Sequence, residues 1–399
     1  MEYRPIRTEE IPAWSEFQRY CFHDWSPDFD RYMKHSFKVE ETRALFDDQM
    51  RATMTLLPFQ LYVGGAVIPM GGIASVASVP ENRRSGYVAQ LLTRSVREMK
   101  EQGVPLSGLY PFNQEFYRRL GWDVACAEIA HVFPPEKLHR FRKYPGVIQR
   151  YVPDDLDWAA LEDIYARWAQ LRLGYMVRGN RSHWEQWVGS VYMRYQAHSA
   201  IWRPEPGARP EGYLLYWFKE DEPGKRTLVV RELVALSVAA ERALLGFIGN
   251  HDSQVRSIRM LTHRDYPVWH LLDDLRDVES TLFSRWMLRL VDLKAAFAAR
   301  PWPADAVGTL TIAVQDDQAP WNQSTWRVQF EAGHAAVTAA PAETPALSAS
   351  VQTWAQLYAG FVSPADAVAT GRLAGSDPGA VALLVRATAG GSLHFFEYF

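Results

Sequence analysis

The residues best suited to do chemistry in this chain lie in one stretch, Val76–Trp122, which reads VASVPENRRSGYVAQLLTRSVREMKEQGVPLSGLYPFNQEFYRRLGW. An apolar run, Ile73–Val79, leads to Pro80, and the basic turn Arg83-Arg84-Ser85-Gly86 follows. A helix start presents backbone N–H groups with partial positive charge, and two arginines add full charge, so this stretch forms a candidate cradle for a pyrophosphate. The plainer reading of Arg83-Arg84 is a solvated basic turn; the glycine at the helix start tilts the balance toward phosphate. Tyr117 carries a phenol whose ordinary pKa is about 10, a match for protonating a departing thiolate of similar basicity. On spacing alone it reads more readily as a core aromatic beside Phe116, Leu120 and Trp122. The chain ends in SLHFFEYF, whereas tails are normally polar and frayed. Leu393, Phe395, Phe396, Tyr398 and Phe399 predict a docked tail and a fixed α-carboxylate at Phe399. The alternative is a terminal strand with that carboxylate at the surface.

These residues need elements to hold them. Ile11, Trp14, Phe17 and Cys21 recur at helical steps, and residues 1–50 are expected to be helical, with Thr8 capping the first helix and a second over Asp28–Lys38. Between them, Phe22-His23-Asp24-Trp25 reads as aromatic packing with Asp24 as a cap, or as a loop attractive to a cation. Ala52–Phe59, Gln60–Ile68 and Ile73–Val79 predict strands, with Gly64-Gly65 or Gly71-Gly72 supplying turns. Val88, Leu91, Leu92, Val96 and Met99 predict an amphipathic helix that Gly103 stops. A strand over Leu106–Tyr110, a short helix Gln114–Leu120 capped by Asn113, and a strand over Val124–Phe133 complete a mixed α/β plan. In such plans ligands enter beside strand ends.

Residues 148–284 show the same order, as a degraded repeat or as a similar element order without a duplicated fold: strands over Gly212–Phe218 and Leu228–Leu236, a helix Ala239–Ile248, a strand Val255–Thr262 and a short helix Val268–Leu275. Their turn, Ser237-Val238-Ala239-Ala240, lacks the arginines and the glycine, so no coenzyme is expected there. Residues 285–399 change character, with a group of strands followed by helices, which suggests an α+β domain.

The turn Arg83-x-x-Gly86-x-Val88-Ala89 after a strand resembles the acetyl-CoA motif of the GCN5-related N-acetyltransferases. Val76–Trp122 with its FYRRLGW segment resembles the "enhanced intracellular survival" (Eis) acetyltransferases more closely. The departure is Val88, where the superfamily prefers Gly or Ala and Eis-like members accept a larger residue. The resemblance implies tandem acetyltransferase folds followed by a sterol-carrier-like α+β domain. The expected domains are 1–147, binding acetyl-CoA; 148–284, degenerate; and 285–399, sterol-carrier-like. It implies Tyr117 as general acid and the Phe399 carboxylate as general base. Val76, Ala77 and Ser78 would pair with the pantetheine arm and supply the oxyanion donor. Arg84, Ser85, Gly86, Tyr87, Val88 and Ala89 would surround the pyrophosphate, with Phe112 and Asn113 flanking the arm. A homo-oligomer, a hexamer in that family, is also implied.

Composition bounds the alternatives. The chain has 399 residues, 48% hydrophobic and 13% aromatic, enough for two or three domains. Net charge is −3, which disfavours a nucleic-acid partner and hence an aminoacyl-tRNA-dependent transferase. Cys21 and Cys126 suggest free thiols in a cytoplasmic protein rather than a disulfide framework. The charged N-terminus is unlike a signal peptide, and no apolar run approaches membrane length. The histidines are dispersed without ligand spacing, and no metal is expected. The acceptor is expected to be a cationic amine, an aminoglycoside, a polyamine or a lysine, with Asp24 and Glu397 as candidates to attract it. A non-catalytic acyl-CoA or lipid-binding protein is the rival reading.

Overall fold

The computed structural model describes residues 1–23, 29–30, 33, 37–152, 155–179, 184, 195–375 and 377–399. The chain forms two compact units. One comprises Met1–Cys126, Arg285–Leu393 and Phe399, and the other Ala127–Ser284 and His394–Tyr398. The expected helix over Asp28–Lys38 falls largely, and Asp24 wholly, outside the described residues.

In the first unit a mixed sheet runs in the order Glu2–Arg4, Thr42–Phe46, Met50–Val63, Ala66–Ala77, Leu106–Leu109, and then residues 287–290 of the strand Glu279–Leu290. Every neighbouring pair is antiparallel except Ala66–Ala77 with Leu106–Leu109, which are parallel. The helix Tyr87–Glu101 makes the crossover between those two and buries Leu91, Leu92, Ser95, Val96 and Met99. That is the apolar stripe its sequence spacing dictates.

Several expectations need correction. Residues 1–50 are not all helical, because Glu2–Arg4 and Thr42–Phe46 are strands. All five residues of Thr42–Phe46 are buried, so no alternation marks them as a strand. Thr8 lies in a 3-10 turn, and Glu10 rather than Thr8 occupies the cap position of the helix Ile11–Phe22. Gln60–Ile68 is not a separate strand: Met50–Val63 is continuous, Gly64-Gly65 turns, and Ala66–Ala77 returns. Gly71 and Gly72 sit inside that returning strand. A Cβ on Gly71 would lie 2.2 Å from Met99 Sδ, and one on Gly72 would lie 2.4 Å from the Phe59 ring. These glycines admit close neighbours rather than a turn.

A second sheet in the same unit runs His334–Ala339, Thr325–Glu331, Gly308–Gln315, Leu347–Ser350, the last pair parallel. The helices Val351–Tyr358, Pro364–Ala369 and Pro378–Thr388 follow it, each with a Ser or Asp N-cap whose side chain accepts from a first-turn backbone N–H.

The other unit holds a sheet of residues 128–133, Ser257–His263, Lys225–Ala235, Gly212–Glu222, His198–Arg203 and Val147–Tyr151. Lys225–Ala235 and Ser257–His263 are parallel and joined through the helix Val238–Gly249. The same strand–helix–strand crossover therefore occurs in each unit. In each, the later parallel strand is flanked antiparallel by a strand distant in sequence.

Candidate functional site

The strand Ala66–Ala77 prepares the site. Its parallel ladder to Leu106–Leu109 covers Met70–Ile73 and stops there, so the two strands part from Ala74 onward. On its other side, Ala74 to Ala77 faces only Thr55 to Thr53, so one extra residue is inserted. Ser75 takes the strain of this bulge with a φ of 51°, and Gln18 Nε2 donates to its carbonyl at 3.1 Å. A bulge re-aims backbone groups and interrupts pairing. Val76, Ala77 and Ser78 therefore lie where an extended ligand arm can add to the parted edge.

The turn after it ends in a bare helix start. Arg84 and Gly86 have φ of 65° and 79°, and Gly86 is the N-cap of Tyr87–Glu101 with no side-chain cap. A Cβ on Gly86 would meet nothing within 4 Å, so the glycine serves the left-handed backbone and not a close neighbour. The first-turn N–H groups have no intrahelical partners. No acidic residue lies in that turn, and among the described residues no carboxylate pairs with Arg84. Arg83 donates to Ser78 O at 3.3 Å, which fastens the turn to the strand end. Arg84, Ser85 and Gly86 are exposed, whereas Tyr87, Val88 and Ala89 pack half-buried on the core.

That core cluster also contains Tyr117 and Val76. Asn113 Oδ1 accepts from Phe116 N at 2.9 Å and starts the short helix Gln114–Arg118, as its sequence predicts. Tyr117 is 2% exposed, edge-on to Phe112, Phe116 and Trp122. Its hydroxyl makes no hydrogen bond among the described residues. Burial pushes its pKa well above the ordinary phenol value. Phe112, by contrast, is 69% exposed with its ring 5.2 Å from that of Tyr117, an apolar surface beside a buried proton donor.

Phe399 places its ring 4.8 Å from Phe59 and 5.7 Å from Tyr110. Gly72 makes room for it, since a Cβ there would come within 3.0 Å of the Phe399 ring. The tail is irregular rather than a strand. Leu393 and Phe395 are buried, as a docked tail requires, but Tyr398 is 75% exposed and is the one aromatic of the tail that does not pack inside. Glu397 is buried and bound through Oε1 to Arg178 at 2.8 Å, while Oε2 has no hydrogen-bond partner. Arg178 also holds Glu232 at 2.6 Å, so one guanidinium serves two carboxylates.

Sequence reasoning missed the groups that brace this site. Arg289, fully buried, donates from Nη1 to Leu120 O at 2.7 Å and from Nη2 to Asp316 at 2.9 and 3.0 Å. Gly121 leaves the space: a Cβ there would lie 1.2 Å from Arg289 Nη1. Gln352 Nε2 donates to Arg118 O at 2.7 Å, and Gln356 Nε2 to Val124 O at 2.8 Å. The C-terminal region thus holds both ends of the Tyr117 segment. A signal existed in the lone arginine of the apolar run Trp286–Val291, because a charge in a buried strand demands a partner.

Residues 2–125 and 174–290 each match the model of an acetyltransferase (GNAT) domain, and residues 293–394 that of a sterol carrier protein domain. An uncharacterized N-acetyltransferase of Streptomyces avermitilis is 30% identical over 335 residues, 80% of this chain and 78% of that protein. The chain belongs to the GCN5-related N-acetyltransferases. A Streptomyces coelicolor N-acetyltransferase, also uncharacterized, is 28% identical over 350 residues, with 80% and 78% covered. The crystal structure of a GCN5-related N-acetyltransferase from Anabaena variabilis covers all of both chains at a TM-score of 0.89 and 25% identity. Eis1 from Mycobacterium abscessus also covers both chains fully, with a TM-score of 0.83; at 22% identity this likeness is one of fold.

The N-acetyltransferase is therefore a tandem GNAT protein with a sterol-carrier-like region, as its sequence predicts. Acetyl-CoA is the acetyl donor this fold uses, and the bare helix start with its arginines fits a pyrophosphate. The equivalent helix start in the second unit differs. Ser237 Oγ accepts from Ala240 N at 3.2 Å and donates to Glu211 at 2.9 Å. A serine cap and a carboxylate occupy the place an anion would need. No helix among the described residues is long and apolar enough to cross a membrane. The histidines are less dispersed than the sequence suggests, because His263 and His394 come together with ring centroids 4.3 Å apart.

Proposed function

We propose that the N-acetyltransferase moves acetyl from acetyl-CoA directly to a primary amine of a cationic acceptor, an aminoglycoside, a polyamine or a lysine side chain. The observation that carries this reading is the union, in one core cluster, of the buried Tyr117 with Val76, Tyr87, Val88 and Ala89 of the parted strand and bare helix start. In this proposal residues 1–147 bind the coenzyme, residues 148–284 form a degenerate acetyltransferase domain without one, and residues 285–399 complete the catalytic unit.

Acetyl-CoA supplies the activated acyl group as a thioester. Backbone N–H groups of Arg84 to Ala89 and the Arg84 guanidinium bind its pyrophosphate. Val76, Ala77 and Ser78 hold the pantetheine arm, with Phe112 and Asn113 on its other flank. A backbone N–H in Val76–Ser78 donates to the oxyanion as the amine nitrogen bonds to the carbonyl carbon. The Phe399 carboxylate accepts the proton the amine must lose. As the C–S bond breaks, the Tyr117 hydroxyl donates its proton to sulfur, and N-acetylated acceptor and free thiol leave. No step needs a metal.

A thiol-release assay with acetyl-CoA and a panel of amines tests the reading. Turnover is expected with polyamines, aminoglycosides or lysine peptides. Tight lipid binding without turnover on any amine would overturn it in favour of a carrier. Deleting Phe399, or extending the chain beyond it, is expected to abolish turnover while acetyl-CoA binding is kept; unchanged turnover removes Phe399 from the mechanism. Assembly as a homo-oligomer, a hexamer by resemblance, and a cytoplasmic location belong to the same proposal. Light scattering checks the assembly.

A further inference from the structure

His263, Asp265 and His394 each offer one donor atom, and these atoms all lie within 4.8 Å of one another. His263 ends the strand Ser257–His263, Asp265 lies in the turn after it, and His394 belongs to the C-terminal tail. We propose that these three residues form a binding site for a first-row divalent cation of the zinc type, which fastens the tail to the end of that strand.

Three features support the site. First, the donor set is two imidazoles and one carboxylate, which suits zinc and its neighbours better than magnesium or calcium. Second, His394 Nε2 and Asp265 Oδ2 are 3.4 Å apart. That is long for a charge-assisted hydrogen bond, whose usual length is about 2.7–2.9 Å. It is close to the separation of about 3.3–3.4 Å that two ligands make on a tetrahedral zinc with bonds of about 2.0–2.1 Å. Third, Nδ1 of His263 is buried without a hydrogen-bond partner. A buried imidazole nitrogen left unmet is costly for a protein that uses the ring only for packing.

Asp265 also lies 3.6 Å from Arg264 Nε, a contact exposed to solvent that a cation can displace. Three protein donors leave a position for water, the arrangement of an open zinc site. His394 stands five residues before Phe399 in the sequence, so a bound cation restricts the segment that carries the terminal carboxylate.

The untagged chain, stripped with chelator, is titrated with Co²⁺ as a spectroscopic probe and with Zn²⁺, and metal retained after gel filtration is measured. One equivalent with visible ligand-field bands is expected. His263→Ala and the exposed Asp265→Asn are each expected to weaken binding by about tenfold or more. No metal beyond a buffer control, or affinity unchanged in both variants, overturns the site. A serine carboxypeptidase reads the tail: bound Zn²⁺ is expected to slow release of Phe399, and equal rates with and without metal overturn the fastening. Neither readout uses acetyl-CoA or an acceptor, so either result leaves the transfer reading untouched.

Discussion

Tyr117 concentrates what a single residue contributes to this enzyme. Its place in FYRRLGW marks it in the sequence, because Asn113 caps the short helix and the aromatic neighbours fix the ring. Its environment was not legible there. The argument from an ordinary phenol pKa of about 10 changes once the ring is 2% exposed, since burial disfavours the phenolate and holds the proton more firmly. Two outcomes follow at this scale. Tyr117→Phe is expected to lower kcat by about 10²–10⁴-fold with little change in the KM for acetyl-CoA. A loss confined to KM would mean the ring only packs. Because the folded pKa is raised, the acid form persists, and the pH profile of kcat is expected to show no alkaline fall from Tyr117 until above pH ~10. The sign for stability agrees: the folded state holds this proton more tightly than the unfolded one, so the contribution is full below pH ~10 and declines as pH rises beyond it. A kcat that falls between pH 8 and 9 by a group absent in Tyr117→Phe would contradict this.

At the scale of elements, the strand–turn–helix was readable because each part has a local cause. Apolar periodicity gives the helix Tyr87–Glu101, Gly103 ends it, and Gly86 supplies the left-handed residue before it. The bulge at Ser75 was not readable, since nothing in Ala74-Ser75-Val76 announces an extra residue, and it arises from pairing with a strand some twenty residues away. Gly71-Gly72 misled for the same reason. The dipeptide reads as a turn, but tertiary packing against Met99, Phe59 and Phe399 is what excludes a side chain. Gly86→Ala is expected to strain a φ of 79° by about 1–2 kcal/mol, raising the KM for acetyl-CoA more than it lowers kcat. Gly71→Ala is expected to lower stability by about 1–3 kcal/mol in denaturant unfolding, through displacement of Met99. Equal effects of the two variants on KM would separate the helix start from coenzyme binding.

At the scale of the molecule, Arg289 shows why the sterol-carrier-like region belongs to the acetyltransferase unit. It joins the carbonyl of Leu120 to the carboxylate of Asp316, and both ions are fully buried. Asp316→Asn leaves the guanidinium without its counter-charge and is expected to cost about 3–5 kcal/mol, measured by chemical denaturation. Replacing Arg289 and Asp316 together by apolar residues should cost less than either alone, and a double-mutant cycle checks this. Such long-range pairs escape a sequence reading because no periodicity links positions 120, 289 and 316. The same holds for the strand partners: Leu106–Leu109 pairs with residues 287–290, not with a neighbour in the chain. That register has a consequence during synthesis. A ribosome adding about 5–20 residues per second takes on the order of 10–30 s to travel from Leu109 to Met287. For that interval the nascent first region carries the Arg83–Gly86 turn and Tyr117 on a sheet whose Leu106–Leu109 edge is open. An exposed edge invites wrong pairing, so the growing chain is open to misassembly until residues 287–290 arrive to cover it.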